Sequence, residues 1–351
     1  MSELDDRFTQ DEGIAIFNGN EAVVKGGLES EIAFWSGYPG SPMAGIHTTL
    51  GNLARGLFAQ KGIVYHRALN EMTASAELGG SQKAGVNGLV ACKHVGLLWM
   101  TDQLLLENLI GTGDGSGALV VVGDDVGAKS STAAMDTRRV FEMLHMPYLE
   151  PGSIQEMKDF VPIGIDISRR SKLYVGLRVV AALGDGGGTV QVGPNRYSPV
   201  NAIDKIDVKM PPPGLGPEAV SEQERAVLSR LQVALDVARE HGLNSIANPG
   251  VAGSLGFITS GKTYADLYQA LRDFGLQGRI PVLNFGMPYP LDEALVLRFV
   301  AGLRQVIVIE EKGGVLEERI KALLHSARSQ AEVGQVAVYG KDLPDQAEGF
   351  P

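Results

Sequence analysis

At 351 residues the chain is too long for one ordinary hydrophobic core, and about two domains are expected. Its composition, 44% hydrophobic and 21% charged, is that of a globular protein, and a net charge of −10 argues against nonspecific binding to nucleic acid or to an acidic membrane surface. The single cysteine, Cys92, excludes an intrachain disulfide and any iron–sulfur cluster ligated within this chain, because such clusters take about four thiolates.

The opening MSELDDRFTQDEG is acidic and unlike a signal peptide, and no apolar run reaches the ~18 residues of a membrane span, so a cytoplasmic protein without a membrane span is expected. Helix 20–29 then leads to a strand in EIAFWSGYP (31–39). Helix 43–60, strand 62–68, helix 70–85, strand 88–96, helix 101–111 and strand 117–125 follow, and then helices 135–145 and 154–171 before strand 173–181. Near-continuous apolar strands separated by helices indicate a parallel sheet covered on both faces. Residues 194–222 are proline-rich and aperiodic, as a linker is. Helix 221–242 restarts the alternation, with SIANPG, GFITSG, a helix at 262–274, PVLNFGM, a helix at 291–303, QVIVIEE, a helix at 314–328 and VAVYG. The expectation is an α/β protein of two doubly wound, mostly parallel-sheet domains: 1–200, a Pro-rich linker at 201–222, and a smaller domain at 223–351.

Two glycine clusters invite a phosphate-binding reading and fail it. GTGDGSG (111–117) follows a predicted helix and precedes a strand, the reverse of a dinucleotide loop. GDGGG (184–188) resembles the start of a thiamine-diphosphate magnesium motif, but Asn195 is too near to be its asparagine and the intervening residues are not helical, so a turn between strands is expected. Six scattered histidines form no helical zinc pair.

Four stretches lie where an open α/β sheet builds its sites, at the carboxyl ends of strands. SGYPGSPM (36–43) ends a strand in a tight turn, from which Ser41-Pro42 can open a helix. ALNEMTASAELGGSQKAG (68–85) places Asn70 as N-cap and Glu71 in the first turn of a helix of small residues. A glutamate there gains roughly 0.3–1 kcal/mol from the helix dipole, which is a sufficient structural reason for it. CKHVGLLWMTDQ (92–103) gathers Lys93, His94 and Asp102 around a glycine turn and reads equally as a solvated loop. GDDVGAKSST (123–132) sets Lys129, Ser130 and Ser131 to hold an anion, or simply to make a solvated turn.

Taken in order, GNEAVVKGGLE, SGYPGSPMAGI, LNEMTASAELGGSQKAG, KHVGLLWMTD, GDDVGAKSST, GFITSGKTYADLYQAL, FGMPYPLDE and VIVIEEKGGVLEE resemble the indolepyruvate ferredoxin oxidoreductase α-subunit family. That family is a branch of the thiamine-diphosphate-dependent 2-oxoacid:ferredoxin oxidoreductases, and the likeness spans nearly the whole chain. The resemblance implies a pyrimidine-binding domain followed by a transketolase C-terminal-like domain. It also implies a catalytic, cofactor-binding role for Glu71, which would hydrogen-bond N1′ of the aminopyrimidine. Asn70, Ser41, Pro42, His94 and Gly96 are the further candidates for cofactor binding, and Ser41, Lys129 and Ser130 for substrate. The implied reaction decarboxylates a 2-oxoacid oxidatively, passes electrons to iron–sulfur clusters and transfers the acyl group to coenzyme A.

Family members continue past the VYGK strand, so this chain is expected to be one subunit of a split enzyme, or a fragment, inactive alone. Magnesium, 4Fe–4S clusters, a pyrophosphate domain and a ferredoxin-like module are expected on partner chains of a hetero-oligomer. No metal site is expected on this chain. A non-redox thiamine-dependent decarboxylase or ligase subunit, or a non-catalytic scaffold, is the alternative.

Overall fold

Runs such as IAFWSG, NGLVACK and ALVVVGD are apolar at both odd and even positions, so they can be buried only between two layers of helices. The computed structural model describes residues 5–200, 216–249, 254–330 and 334–342. The first unit runs β1 (Ile14–Asn18), α1 (Gly19–Leu28), β2 (Ile32–Gly37), α2 (Ala44–Leu53), α3 (Ala59–Lys61), β3 (Val64–Arg67), α4 (Glu71–Lys83) and β4 (Asn87–Lys93). It continues through α5 (His94–Ile110), β5 (Ala118–Asp124), α6 (Arg138–Met143), β6 (Tyr148–Leu149), α7 (Ile154–Ser171), β7 (Val175–Val180), α8 (Ala181–Gly184) and β8 (Gly187–Gln191). Six of these strands form a parallel sheet in the order β3-β2-β4-β5-β7-β6. After β2 the chain steps outward to β3, then crosses back to place β4 on the other side of β2. The strand order thus reverses at β2, and open sheets of this kind place their sites beyond the carboxyl ends of the strands at such a reversal.

The second sheet follows α9 (Pro217–Glu240) and is built from β9 (Asn244–Ala247), β10 (Leu255–Ser260), α10 (Lys262–Asp273), β11 (Val282–Phe285), α11 (Glu293–Val300), β12 (Gln305–Ile309), α12 (Val315–Ser329) and β13 (Ala337–Tyr339). Its order is β13-β12-β10-β11-β9, parallel except for β9. The α/β class with two mostly parallel sheets is as the sequence indicates.

Several expectations need correction. The strand and helix at 88–111 have no glycine turn between them. Helix α5 begins at His94, directly after β4, and Gly96 sits in its first turn. The predicted helix at 43–60 starts at Ala44 and passes through a π turn at Ala54–Phe58 before α3. The antiparallel ribbon of β1 and β8 has no counterpart in the sequence reading. Ile14 and Ile16 point outward on β1, and its partner strand lies far along the chain.

Of the expected linker 201–222, residues 201–215 lie outside the described residues, while Pro217 onward is already helical. Val227, Leu231, Ala234 and Leu235 of α9 join the first hydrophobic core, whereas the second core is built on residues such as Ile258, Phe285, Val306 and Ile320. The periodicity of α9 shows that it has an apolar face but not which core that face meets. Salt bridges Arg170–Glu240 and Arg239–Asp292 tie α9 to both units. Among the described residues, no helix is long and apolar enough to cross a membrane.

Candidate functional site

The four strand-end stretches meet beyond the carboxyl ends of β2, β3, β4 and β5, through contacts of Gly40 with Lys93, Glu71 with Gly96 and Ser41 with Ser130. Helix α4 opens with Asn70 in extended backbone, its side chain accepting from the backbone N–H of Thr73 at 2.9 Å and lying 3.1 Å from the Thr73 hydroxyl. Asn70 is thus a true N-cap. Glu71 is the next residue, half-buried, and no hydrogen bond or ion pair engages its carboxylate among the described residues.

Glu71 lies against the first turn of α5. A Cβ on Gly96 would stand 2.5 Å from Glu71 Oε1, so the glycine is what lets the two helices converge on the carboxylate. Lower down, a Cβ on Gly79 would stand 2.3 Å from Glu107 Oε1, whereas Gly80 faces open space. Of the two glycines in the middle of α4, only Gly79 reflects close approach. Cys92, fully buried, has its thiol pKa pushed up by burial and further by the charges of Glu71 and Asp124, so it is an inert core residue.

Beyond β2 the chain turns through 38–43, and the Ser41–Pro42 peptide is cis. Pro42 is buried, and Cβ atoms added at Gly123 and Gly184 would meet its ring at 2.8 and 3.3 Å, so it packs over the end of β5 and the short helix α8. The helix opens at Ala44, not at Ser41-Pro42. Ser41 is thereby held over the end of β5. Beneath the turn, buried His47 lies 3.1 Å through Nε2 from the Ala91 carbonyl and 3.2 Å through Nδ1 from the Tyr65 hydroxyl. Burial lowers its pKa to about 4, against the opposing pull of the Ala91 carbonyl.

The 125–131 loop reaches back to Ser41. Ser130 Oγ lies 2.9 Å from Ser41 Oγ and 3.2 Å from Asp125 Oδ2. A relay in which Ser41 donates to Ser130, and Ser130 to Asp125, satisfies all three groups. Asp125 also accepts from the backbone N–H groups of Lys129 and Ser130 at 2.9 and 2.8 Å and from the Ser131 hydroxyl at 2.7 Å. These donors, the Ser130 N–H first, hold its carboxyl well below the usual range despite burial. Neither reading of GDDVGAKSST singled out Asp125 as the hub. A carboxylate a few residues before consecutive hydroxyl residues is the local signal that was there to be read.

Two basic residues exchange parts. Lys129 is exposed, with no bond from its ammonium among the described residues. Lys93, at the end of β4, donates to the Ser130 carbonyl at 3.0 Å and passes over Gly40, where a Cβ would stand 2.8 Å from the Cβ of Lys93. The cation between the two serine-bearing loops is therefore Lys93. His94 is also reassigned. Wholly buried, its Nδ1 lies 3.2 Å from the Gly123 carbonyl and 3.3 Å from the Asp125 N–H, and its Nε2 lies 3.1 Å from the Ala133 carbonyl, so the ring props the loop. Both of its ring nitrogens are engaged by backbone groups of the β5 end and the loop that follows. Asp102 lies eight residues farther along α5, about 12 Å away along its axis, and does not join the group.

The arrangement offers one carboxylate at a helix head, a pair of hydroxyls and an ammonium around a crevice. Among the described residues, no three His, Cys, Asp or Glu side chains are grouped to hold a metal ion.

The family model for the indolepyruvate oxidoreductase domain matches residues 247–348. Over 332 residues the chain is 30% identical to the indolepyruvate oxidoreductase subunit IorA of Methanothermobacter thermautotrophicus, covering 94% of this chain and 52% of that one. The IorA of Pyrococcus abyssi is 30% identical over 328 residues, 93% of this chain and 49% of that one. The chain spans about half the length of the curated relatives it matches. Among solved structures it is similar to the 2-oxoglutarate:ferredoxin oxidoreductase of Magnetococcus marinus with 2-oxoglutarate, coenzyme A and succinyl-CoA bound. That match has a TM-score of 0.70 at 17% identity and covers 93% of this chain and 62% of that one. It is also similar to a split-gene transketolase in its inactive beta4 tetramer, with a TM-score of 0.55 at 12% identity over 92% and 86% of the two chains. At these identities the structural likeness is one of fold.

Proposed function

The chain is an IorA-like family member across about half the length of its relatives, and from that premise we propose that it is a subunit of a thiamine-diphosphate-dependent 2-oxoacid:ferredoxin oxidoreductase of the indolepyruvate or arylpyruvate type. The observation that carries the reading is the half-buried carboxylate of Glu71 at the head of α4, unpartnered among the described residues and given room by Gly96. A carboxylate so placed fits an aminopyrimidine, whose ring nitrogen needs a partner that can hold and share a proton. Thiamine diphosphate, when bound, supplies the carbon nucleophile and electron sink that loss of CO2 from a 2-oxoacid requires. Glu71 then holds the proton at N1′, Asn70 keeps the first turn of α4 in place, and the Ser41–Ser130 hydroxyl pair with Lys93 faces the substrate carboxylate.

The reading includes partners. Val95, Leu98, Trp99, Leu105 and Leu106 recur around exposed Asp102 on one face of α5 and are 39–65% exposed, and Met72 and Leu69 extend the apolar surface beside Glu71. Such a face supports docking of the chain that carries the pyrophosphate domain and its Mg2+. On this reading a further module bearing iron–sulfur clusters would supply the electron acceptors, and coenzyme A would be the acyl acceptor. The reading places the complex in the cytoplasm and leaves this polypeptide inactive alone.

The test is Glu71→Gln in the complex purified with its copurifying subunits, assayed for 2-oxoacid-dependent reduction of a viologen with a panel of aryl and alkyl 2-oxoacids. Turnover is expected to fall on the order of 10²-fold or more with subunit composition unchanged. Wild-type turnover in the variant would remove Glu71 from the reaction and overturn the reading.

A further inference from the structure

We propose that Arg138 is a positioning residue, fastening the loop that carries Ser130 to the second domain so that this domain sets the geometry of the substrate end of the crevice. The proposal rests on the functional reading above for what the loop faces, but the fastening itself stands on the structure alone.

The loop between β5 and α6 has little regular structure of its own, and residues 132–134 at its crest are exposed. Its placement therefore depends on its anchorages. The inner ones are Asp125, His94 and Lys93. At its far end Thr137 donates to Asp124 through its backbone N–H at 3.1 Å and its hydroxyl at 2.9 Å, and Asp124 is held in turn by Arg178 at 2.6 Å.

The outer anchorage crosses to the second domain. Arg138 opens α6 and is 1% exposed. Its Nε and Nη2 donate to the two oxygens of Asp136 at 2.9 and 2.6 Å, its Nη1 to Glu310, and its Nη2 also to the carbonyls of Glu311 and Gly313 at 2.5 and 2.9 Å. Lys312 returns the contact, its ammonium donating to the Val126 carbonyl at 3.3 Å at the other foot of the loop. Glu310 does not belong to Arg138 alone. It accepts from the backbone N–H groups of Leu316 and Glu317, each at 2.9 Å, and so fixes the start of α12. An unbroken chain of bonds thus runs from the head of α12 through Glu310, Arg138 and Asp136 into the loop.

Apolar packing would join the two units with less desolvation than a buried guanidinium and carboxylates demand. What the guanidinium adds is direction. Its planar fork of donors meets Asp136, Glu310 and two carbonyls in one fixed geometry, which the point charge of lysine does not reproduce. The bonds close at both feet of the loop whose middle meets Ser41.

Three measurements on the assembled complex test this. In Arg138→Lys, hydrogen–deuterium exchange of peptides covering 126–136 should quicken on the order of tenfold while β5 and β7 stay protected as in wild type. KM for the 2-oxoacid should rise on the order of tenfold with kcat within about twofold, the signature of a misplaced binding group. That KM rise should vanish in a Ser130→Ala background, because Arg138 acts through that loop. Unchanged exchange at 126–136, a change spread evenly over the chain, or a KM effect additive with Ser130→Ala overturns the proposal. Should Arg138→Lys fail to assemble, Lys312→Ala removes only an exposed contact, and exchange at 126–128 should then quicken about threefold. No change there overturns the proposal as well. The exchange experiment needs no substrate, so a complex that oxidises no 2-oxoacid sinks the functional reading and leaves the fastening to be judged separately.

Discussion

A Cβ on Gly96 would stand 2.5 Å from Oε1 of Glu71, so the carboxylate at the head of α4 occupies the space that any other residue at position 96 would fill. Glycine inside a helix ordinarily costs about 1 kcal/mol relative to alanine, and here that loss accompanies a place for a charged group. Gly96→Ala should therefore separate stability from activity. The thermal midpoint of the chain should stay level or rise, while turnover of the assembled complex falls on the order of 10- to 100-fold through displacement of Glu71. Melting curves beside a steady-state assay check it, and full activity with alanine at 96 would mean that the close approach is mere packing.

His47 makes stability depend on pH. Its imidazole titrates near 6.5 in the unfolded chain and at about 4 in the folded one, because burial disfavours the charged ring. Between those values the unfolded chain binds a proton that the folded chain refuses, so stability falls as the pH drops through this window. At about 1.4 kcal/mol per unit the loss approaches roughly 3 kcal/mol near pH 4, and below that His47 adds nothing more. Denaturant titrations of wild type and His47→Gln should converge as the pH falls from about 7 to about 4, with the variant showing the flatter profile. Parallel profiles would contradict a buried neutral histidine.

Asp125 shows the opposite dependence. The donors on its carboxylate hold its pKa below the unfolded value, so its contribution is full above the usual carboxylate range and is lost as the pH falls from there to the lowered folded value. Asp125→Asn keeps the shape but turns an amide toward groups that donate, and should destabilise the chain by about 2 kcal/mol at neutral pH. Limited proteolysis should cut the variant first within 126–135. Equal protease resistance in wild type and variant would show that the loop holds without the hub.

Trp99, 65% exposed on the apolar face of α5, should matter only in company. Trp99→Glu should leave the circular dichroism and melting of the isolated chain unchanged while weakening association with the copurifying subunits by at least tenfold, as burying an unpaired charge at an interface does. Analytical ultracentrifugation of the mixed chains gives the answer, and unaltered association would place the partner on another surface.

Much of this molecule is local in origin and so was open to a reader of the chain. Continuous apolar runs such as ALVVVGD can only be strands covered on both faces, and Asn70 ahead of Glu71 signals a capped helix from its own sequence. The four strand-end stretches, Glu71 among them, follow from that alternation once the sheet is parallel. What escaped depends on partners distant in sequence. The pairing of β1 with β8 needs a strand beyond six intervening strands, and α9 shows its apolar face without showing the core that receives it.

The division is sharpest at the crevice. The sequence by itself determined the class of fold, the alternation of the main strands and helices and the helix head that presents Glu71, because backbone periodicity and capping act over a few residues. Only the tertiary structure decided that Lys93 rather than Lys129 stands between the serine loops, that His94 props a loop, and that Arg138 binds the second domain. Each of those roles is set by which groups lie within 3 Å or so across packed elements. A side chain of given chemistry takes whichever partner the packing brings to it, and packing joins residues that the chain keeps far apart.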